Sequence, residues 1–134
     1  MQTLKTTNQE LLDLLRGLQE TKDVKSSRFA VIAARNLKII SKELEHIDKM
    51  AFPSTEFQEL SVEAQKLIES EDTKALEKLE EENKEIIDRR KSQLEKVNEE
   101  LQKEVEVQLH TISEDNLPED ISTEQVLKLM LIVK

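Results

Sequence analysis

The sequence predicts a mainly α-helical protein: an elongated antiparallel helical hairpin or bundle with a small two-stranded β-ribbon and a short C-terminal helix. Three observations predict this fold class. The chain has one glycine and two prolines in 134 residues, and 37% of its residues are charged, which is typical of long helices with solvated faces. Apolar residues recur at steps of three and four through most of the chain. The segment EVEVQLH instead shows the two-residue alternation of a half-buried strand.

The first elements are a short strand and an amphipathic helix. Thr3–Thr6 lies in an alternating segment that fits a strand. Thr7 and Glu10 then fit a capping box, in which each side chain accepts a free amide of the first helical turn. A wide leucine stripe follows, so we expect helix 1 over residues 8–21.

Helix 2 is predicted over residues 27–51, with Ser26 or Ser27 as its cap. Its apolar residues extend beyond one stripe, which predicts burial on more than one side. Pro53 disfavours a helical conformation in Phe52 and therefore ends this helix. Helix 3 is expected over residues 54–70.

Helix 4 is predicted over residues 74–104, and Asn83 and Arg90 interrupt its apolar seam. At 1.5 Å per residue such a helix is roughly 45 Å long, which exceeds the diameter of a compact domain of this size. We therefore expect an elongated molecule, and the chain length predicts a single domain over residues 1–134.

The strand Val105–Ile112 follows helix 4 and is expected to pair with Thr3–Thr6. Counting helical rises places the start of helix 1 near the level at which helix 4 ends. Ser122 and Gln125 then offer a second capping box for a C-terminal helix over residues 123–133.

Composition excludes or disfavours several kinds of partner. The net charge is −9; residues 1–52 carry 9 basic and 7 acidic groups, whereas residues 53–134 carry 11 and 22. An acidic protein with no Tyr or Trp is a poor ligand for nucleic acid, so we expect no nucleic-acid partner. We expect no membrane partner either, because no apolar run approaches the roughly 18 residues that span a bilayer. The absence of cysteine fits a soluble intracellular protein.

The sequence holds no recognisable metal or catalytic motif. His46 and His110 are far apart and lack neighbouring ligands at zinc spacing. Glu69, Glu71 and Asp72 lack the alternating pattern and central glycine of a calcium loop. No nucleophile with an oriented base is evident. We therefore expect no metal site, no cofactor, no catalytic residue and no enzymatic activity.

The start of helix 2 is the candidate contact for an anion or a partner. Free amides and the helix dipole favour negative charge at such a position. The simpler interpretation is a helix cap, since the loop has no glycine with which to wrap a phosphate. The candidate residues are Lys25, Ser26, Ser27, Arg28 and Arg35.

A basic stripe continues along helix 2. One interpretation is an anion or nucleic-acid track. The favoured one is a solvated flank that pairs with glutamates of helix 4. The stripe repeats every seven residues, at Arg28, Arg35, Lys42 and Lys49, and the glutamates are Glu82, Glu85, Glu95 and Glu99.

The C-terminal segment LMLIV (residues 129–133) has too many apolar residues for one face of an exposed helix. It must be covered either by its own domain or by another subunit. Apolar seams of this kind, some of them typical of a coiled coil, are most simply the protein's own core. Those left uncovered favour self-association into a homo-oligomer.

The segments TLKTTNQELLDLL, SRFAVIAARNLKIISKELEHI and EVEVQLHTISEDNLPEDISTEQVLKLM together resemble a group of small helical phage-encoded proteins of unknown function. The resemblance implies a bacteriophage source and action in the cytoplasm of an infected bacterial host, or in the virion. It brings no functional residues.

Two functional hypotheses follow. The first is a non-enzymatic helical binding or assembly protein that acts as an oligomer, such as an accessory of virion assembly or structure, with a host or phage protein as a further partner. The alternative is a counter-defence protein that sequesters a small anionic signal molecule or inhibits a host immune protein.

Overall fold

The computed structural model describes all 134 residues of the chain, and 67% of them are helical. This confirms the predicted fold class, a mainly α-helical protein with a small antiparallel β-ribbon. The elements follow in the order β1 Gln2–Thr7, α1 Asn8–Glu20, α2 Ser27–Glu43, α3 Glu45–Ala51, α4 Thr55–Glu69, α5 Thr73–Glu82, α6 Lys84–Leu101, β2 Glu104–Leu109 and α7 Thr123–Leu129.

The chain divides into two compact units. Residues 1–46 and 100–134 form the first, which we call the ribbon unit, and residues 47–99 form the second, which we call the hairpin unit. The ribbon unit contains β1, β2, α1, α2 and α7, whereas the hairpin unit contains α4, α5 and most of α6. The single domain expected from the chain length stays a prediction.

The ribbon pairs β1 with β2 in antiparallel register, with Gln2 opposite Leu109 and Thr7 opposite Glu104. The two predicted strands therefore do pair. β1 is one residue longer at each end than the predicted Thr3–Thr6, and β2 ends at Leu109 rather than at Ile112.

Directly after β2, an asparagine side chain bonds the next residue of the chain on the side that faces away from β1. Asn36 of α2 accepts a hydrogen bond from the His110 N–H and donates one to the His110 carbonyl, both at 2.8 Å. Two residues later the C-terminal segment takes over. The Ile112 N–H donates to the Ile132 carbonyl at 2.8 Å, and Ile112 forms a parallel bridge with Val133.

Helix α1 begins at the predicted cap, although only half of the predicted capping box forms. The Thr7 hydroxyl accepts a hydrogen bond from the Glu10 amide at 3.1 Å. The Glu10 carboxylate, however, accepts from the Thr6 hydroxyl.

The helix predicted over residues 27–51 is in fact two helices, α2 and α3, separated at Leu44. Neither glycine nor proline marks this break. Leu44 is 3% exposed, and its N–H lies within hydrogen-bonding reach of both the Ile40 and the Lys42 carbonyls. The chain therefore tightens locally at a buried leucine, which apolar periodicity does not reveal.

The helix predicted over residues 74–104 is likewise divided, into α5 and α6, at Asn83. The Asn83 side-chain amide donates to the Leu79 carbonyl at 2.9 Å, and its backbone N–H also reaches that carbonyl at 3.2 Å. Short polar side chains compete in this way with the regular backbone bonds of a helix.

The C-terminal helix α7 is shorter than the predicted 123–133, since it ends at Leu129. Its predicted capping box is confirmed, with Ser122 and Gln125 each accepting from the backbone of the other. Residues after Leu129 leave the helix because they pair with Ile112.

The hydrophobic core lies mainly in the ribbon unit. Its innermost side chains, at 0–1% exposure, are Leu11, Leu14, Leu18, Phe29, Ile40, Leu109, Ile112, Leu129 and Ile132. In the hairpin unit the buried apolar residues are Ile47, Leu60 and Val97, each at 6–9% exposure. The hairpin unit therefore has a much thinner core.

In the hairpin unit, polar side chains of α6 hold the C-terminal end of α3. Arg90 donates to the Ala51 carbonyl at 2.8 Å, and its guanidinium lies over the Phe57 ring. Gln93 donates to the carbonyls of Met50 and Phe52 at 2.6 and 2.7 Å. Arg90, which appears in the sequence as an interruption of an apolar seam, thus supplies partners for the free carbonyls that every helix end leaves.

Candidate functional site

Four of the five candidate residues meet at one shallow depression of the ribbon unit. Lys25, Ser26, Ser27 and Arg28 form one side, and residues 115–120 form the other. The Arg28 guanidinium donates to the Asn116 side-chain oxygen at 3.2 Å, which ties the start of α2 to the opposite side. Arg35 lies further along α2, is exposed, and does not line the depression.

The start of α2 has the geometry of a helix N-terminus but lacks a side-chain cap. Ser26 is the N-cap residue with an extended backbone, and its carbonyl accepts the first helical bond from Ala30 at 2.8 Å. The Ser26 hydroxyl makes no capping hydrogen bond, and no acidic residue lies in the first turn. Ser26 therefore occupies the predicted N-cap position, but its side chain does not form the capping hydrogen bond.

The electrostatics of the depression do not favour an anion. Lys25 and Arg28 on one side face a segment that carries three carboxylates, Asp115, Glu119 and Asp120. These carboxylates oppose the attraction of the two cations for a negatively charged ligand. Anion binding at this place stays a prediction, and the local charge argues against it.

A second surface, which we call the α7 groove, lies between α1 and α7. Its apolar part comprises Leu14, Leu127, Met130 and Leu131. Leu127 is 68% exposed and Met130 is 53% exposed, while their neighbours Leu129 and Ile132 are almost completely buried. The apolar tail that required covering is thus half covered by its own unit and half open.

Charged side chains surround this apolar part of the α7 groove. They are Glu10, Asp13, Arg16, Glu20 and Lys128. The Lys128 ammonium lies 2.7 Å from a Glu20 carboxylate oxygen, and this hydrogen bond raises the pKa of Lys128 above its ordinary value. An apolar centre with a polar rim is the usual arrangement of a protein-binding surface.

Gly17 explains why α7 lies so close to α1. A Cβ atom on Gly17 would be 2.8 Å from the Cβ of Lys128 and 3.3 Å from its carbonyl oxygen. The only glycine of the chain therefore allows the close approach that forms the α7 groove. In the sequence, a lone glycine among leucines is the signal for such a close approach.

A charged cluster joins the start of α3 to the end of α6 within the ribbon unit. The Glu100 carboxylate lies 2.7 Å from the Lys103 ammonium and 3.2 Å from the His46 ring. The hydrogen bond from Lys103 is the main cause that lowers the pKa of Glu100 below its usual 4.5, and His46 adds to it. Asn8, at the start of α1, donates to the Glu100 carbonyl at 2.9 Å. The cluster is structural, since it fastens three chain segments.

No group of three or more His, Cys, Asp or Glu side chains is arranged to hold a metal ion. No helix combines the length and the hydrophobicity that crossing a membrane requires. Comparisons with protein-family models, with curated proteins and with solved structures give no significant match. The α7 groove, with its exposed apolar centre and charged rim, is the candidate functional surface.

Proposed function

We propose that this protein is a non-enzymatic helical binding and assembly protein that acts as an oligomer. The observation that carries the proposal is the exposure of Leu127 and Met130, at 68% and 53%, within a C-terminal segment whose other large apolar residues are buried or half-buried. Adjacent exposed apolar side chains usually mark a surface that associates with another protein.

The energetics favour covering this surface. Full burial of one leucine or methionine side chain stabilises a protein or complex by about 1.5–3 kcal/mol. Leu127 lies on the short capped helix α7 and Met130 directly follows it, and Leu129 between them is completely buried. A fixed apolar surface loses little conformational entropy on binding, so more of this gain contributes to affinity.

The cellular setting of the proposal comes from the resemblance of the sequence to small phage-encoded proteins. In that setting the protein acts in an infected bacterium, as an accessory of virion assembly or structure. Sequestration of a small anion is less well supported, because Asp115, Glu119 and Asp120 lie around the depression at Lys25 and Arg28.

The substitution Leu127→Glu tests the proposal. A carboxylate at the centre of an apolar interface remains unpaired there, so we expect the association constant of the oligomer to fall at least about tenfold. Sedimentation equilibrium over a range of protein concentrations measures the change.

Val62→Glu is the matched control, because Val62 is a similarly exposed apolar residue, at 56%, on the helix α4 of the hairpin unit. It should leave the association constant unchanged. A wild-type protein that remains monomeric over the whole range would contradict the proposal, and so would an oligomer that tolerates Leu127→Glu.

A further inference from the structure

The outer edge of β1 is an unpaired strand edge. In an antiparallel ladder, alternate residues direct both backbone groups towards the partner strand, and the residues between them direct theirs away. The Asn8 N–H donates to the Lys103 carbonyl at 3.1 Å, and these two residues continue the register in which Thr7 faces Glu104. Even-numbered residues of β1 therefore bond to β2, whereas Thr3 and Lys5 direct their N–H and C=O groups outward.

These outward groups are accessible. Thr3 and Lys5 are exposed, and outside the β1–β2 ladder their backbone groups make no hydrogen bond. Unpaired edges of this kind are templates for a further strand.

The outer edge of β2 is less suitable for pairing. His110, whose backbone groups point away from β1, is already bonded to the Asn36 side chain, and the C-terminal segment occupies the edge at Ile112. The remaining open positions on this edge include Glu104 and Glu106. Their carboxylates would repel one another if two β2 strands came together.

We infer that the outer edge of β1 pairs antiparallel with the same edge of a second copy of this chain, with Leu4 opposite Leu4 of the second copy. The inference rests on the proposed self-assembly and adds a second self-associating surface to the α7 groove. The product is a continuous sheet in the order β2, β1, β1 of the second copy, β2 of the second copy.

The side chains favour this register over the one in which Lys5 faces Lys5 of the second copy. It brings Thr3 opposite Lys5 of the second copy, so that the outward backbone groups of both residues are satisfied in both chains. A shift by one residue in each chain would place Lys5 opposite Lys5, and like charges directly opposite are destabilising.

The same register also matches the two faces of the sheet. Leu4 is opposite Val107 within each chain, and Val107 is buried at 4% exposure. An apolar row of valine, leucine, leucine and valine would therefore cross the four strands on the core side. On the other side Lys5 already lies 3.8 Å from Glu106, which offsets part of its charge.

The substitution Lys5→Pro tests the inference. Proline removes the outward N–H of residue 5 but no bond of the β1–β2 ladder, and edge strands tolerate it at such positions. We expect the variant to remain folded by circular dichroism and to have a lower mass in sedimentation equilibrium than the wild-type oligomer at the same concentration.

Glu106→Pro is the matched control. It removes an outward N–H from the β2 edge and breaks the same Lys5–Glu106 ion pair. We expect this variant to keep the mass of the wild-type oligomer.

Amide hydrogen exchange gives a second readout on the wild-type protein. The Leu4 and Thr6 amides bond within the chain and should be protected at every concentration. The Thr3 and Lys5 amides should be protected only at concentrations where the dimer forms.

The outcomes separate the inference from the proposed function. An oligomer that keeps its mass in Lys5→Pro, or that dissociates in Glu106→Pro alone, overturns pairing through β1 and leaves the proposed assembly standing. A monomeric wild-type protein whose Thr3 and Lys5 amides exchange rapidly at all concentrations overturns both.

Discussion

At the scale of single residues, Asn36 has the most specific role in the fold. It is completely buried, and its side-chain amide satisfies both backbone groups of His110. In the sequence it appears as a polar residue between Ala33 and Ile40 on the apolar face of a helix. The position predicts burial, but the partner, 74 residues away, is fixed by tertiary structure alone.

Replacement of Asn36 by alanine should destabilise the ribbon unit by about 2–4 kcal/mol, because two backbone groups of His110 lose their partners and each buried unpaired group costs about 1–3 kcal/mol. Urea unfolding followed by circular dichroism measures the change, since the chain has no Trp or Tyr for fluorescence. Asn98→Ala, at an exposed position of α6, is the control and should change the free energy of unfolding by less than about 0.5 kcal/mol. Equal effects of the two substitutions would show that the Asn36 bonds do not stabilise the fold.

At the scale of elements, apolar periodicity and caps predict where helices exist but not where they break. Thr7, Ser54 and Ser122 all cap helices through their side chains, and α1, α4 and α7 begin where the sequence places them. The breaks at Leu44 and Asn83 carry no glycine or proline. They depend on burial and on a side-chain bond to a helix carbonyl, which a periodic pattern does not contain.

The candidate site shows the same division. The clustering of Lys25 to Arg28 follows from their adjacency in sequence, whereas the carboxylates opposite them come from a segment about 90 residues later. The excess of apolar residues after Val126 predicts that the tail is covered by its own domain or by another subunit. Which of its residues stay exposed depends on how α7 packs against α1 at Gly17. The sequence pattern of one helix does not predict how it packs against the other.

The packing of α1 against α7 can be tested with Gly17→Ala. In an ordinary helix this change stabilises by about 0.5–1 kcal/mol. Here the new Cβ would lie 2.8 Å from the Lys128 Cβ, so α7 must shift, and we expect a net destabilisation of about 1–3 kcal/mol in urea unfolding.

Lys128→Gly, alone and combined with Gly17→Ala, supplies the control for that prediction. Removal of the Lys128 Cβ relieves the overlap, so the double variant should be more stable than the sum of the two single effects predicts. A Gly17→Ala protein as stable as the wild type would mean that α7 moves away from α1 without cost.

At the scale of the whole molecule, the two units differ in how much apolar surface they bury. Completely buried side chains such as Leu11 and Leu129 lie in the ribbon unit, whereas the hairpin unit relies on Ile47, Leu60 and Val97 and on the polar contacts of Arg90 and Gln93. Local stability follows buried apolar contact, so the two units should open with different free energies.

Hydrogen exchange followed by mass spectrometry should therefore show faster exchange in peptides from α4 and α5 than in peptides from α1. The comparison is made on dilute protein, and the observed exchange rate of each peptide is divided by its intrinsic rate to give a protection factor. Uniform protection across residues 8–20 and 55–82 would contradict the expected difference.

The closure of β2 by Asn36 has a consequence for the size of any assembly. A sheet with two open edges adds copies at both ends and grows into a fibre, whereas a sheet with one open edge stops after a single addition. Asn36 and the residues around Ile132 occupy part of the outer edge of β2. Along the rest of this edge, the carboxylates of Glu104 and Glu106 would repel those of a second β2 strand. The asparagine that bonds His110 therefore also limits the sheet to two copies, so pairing through β1 does not continue into a fibre.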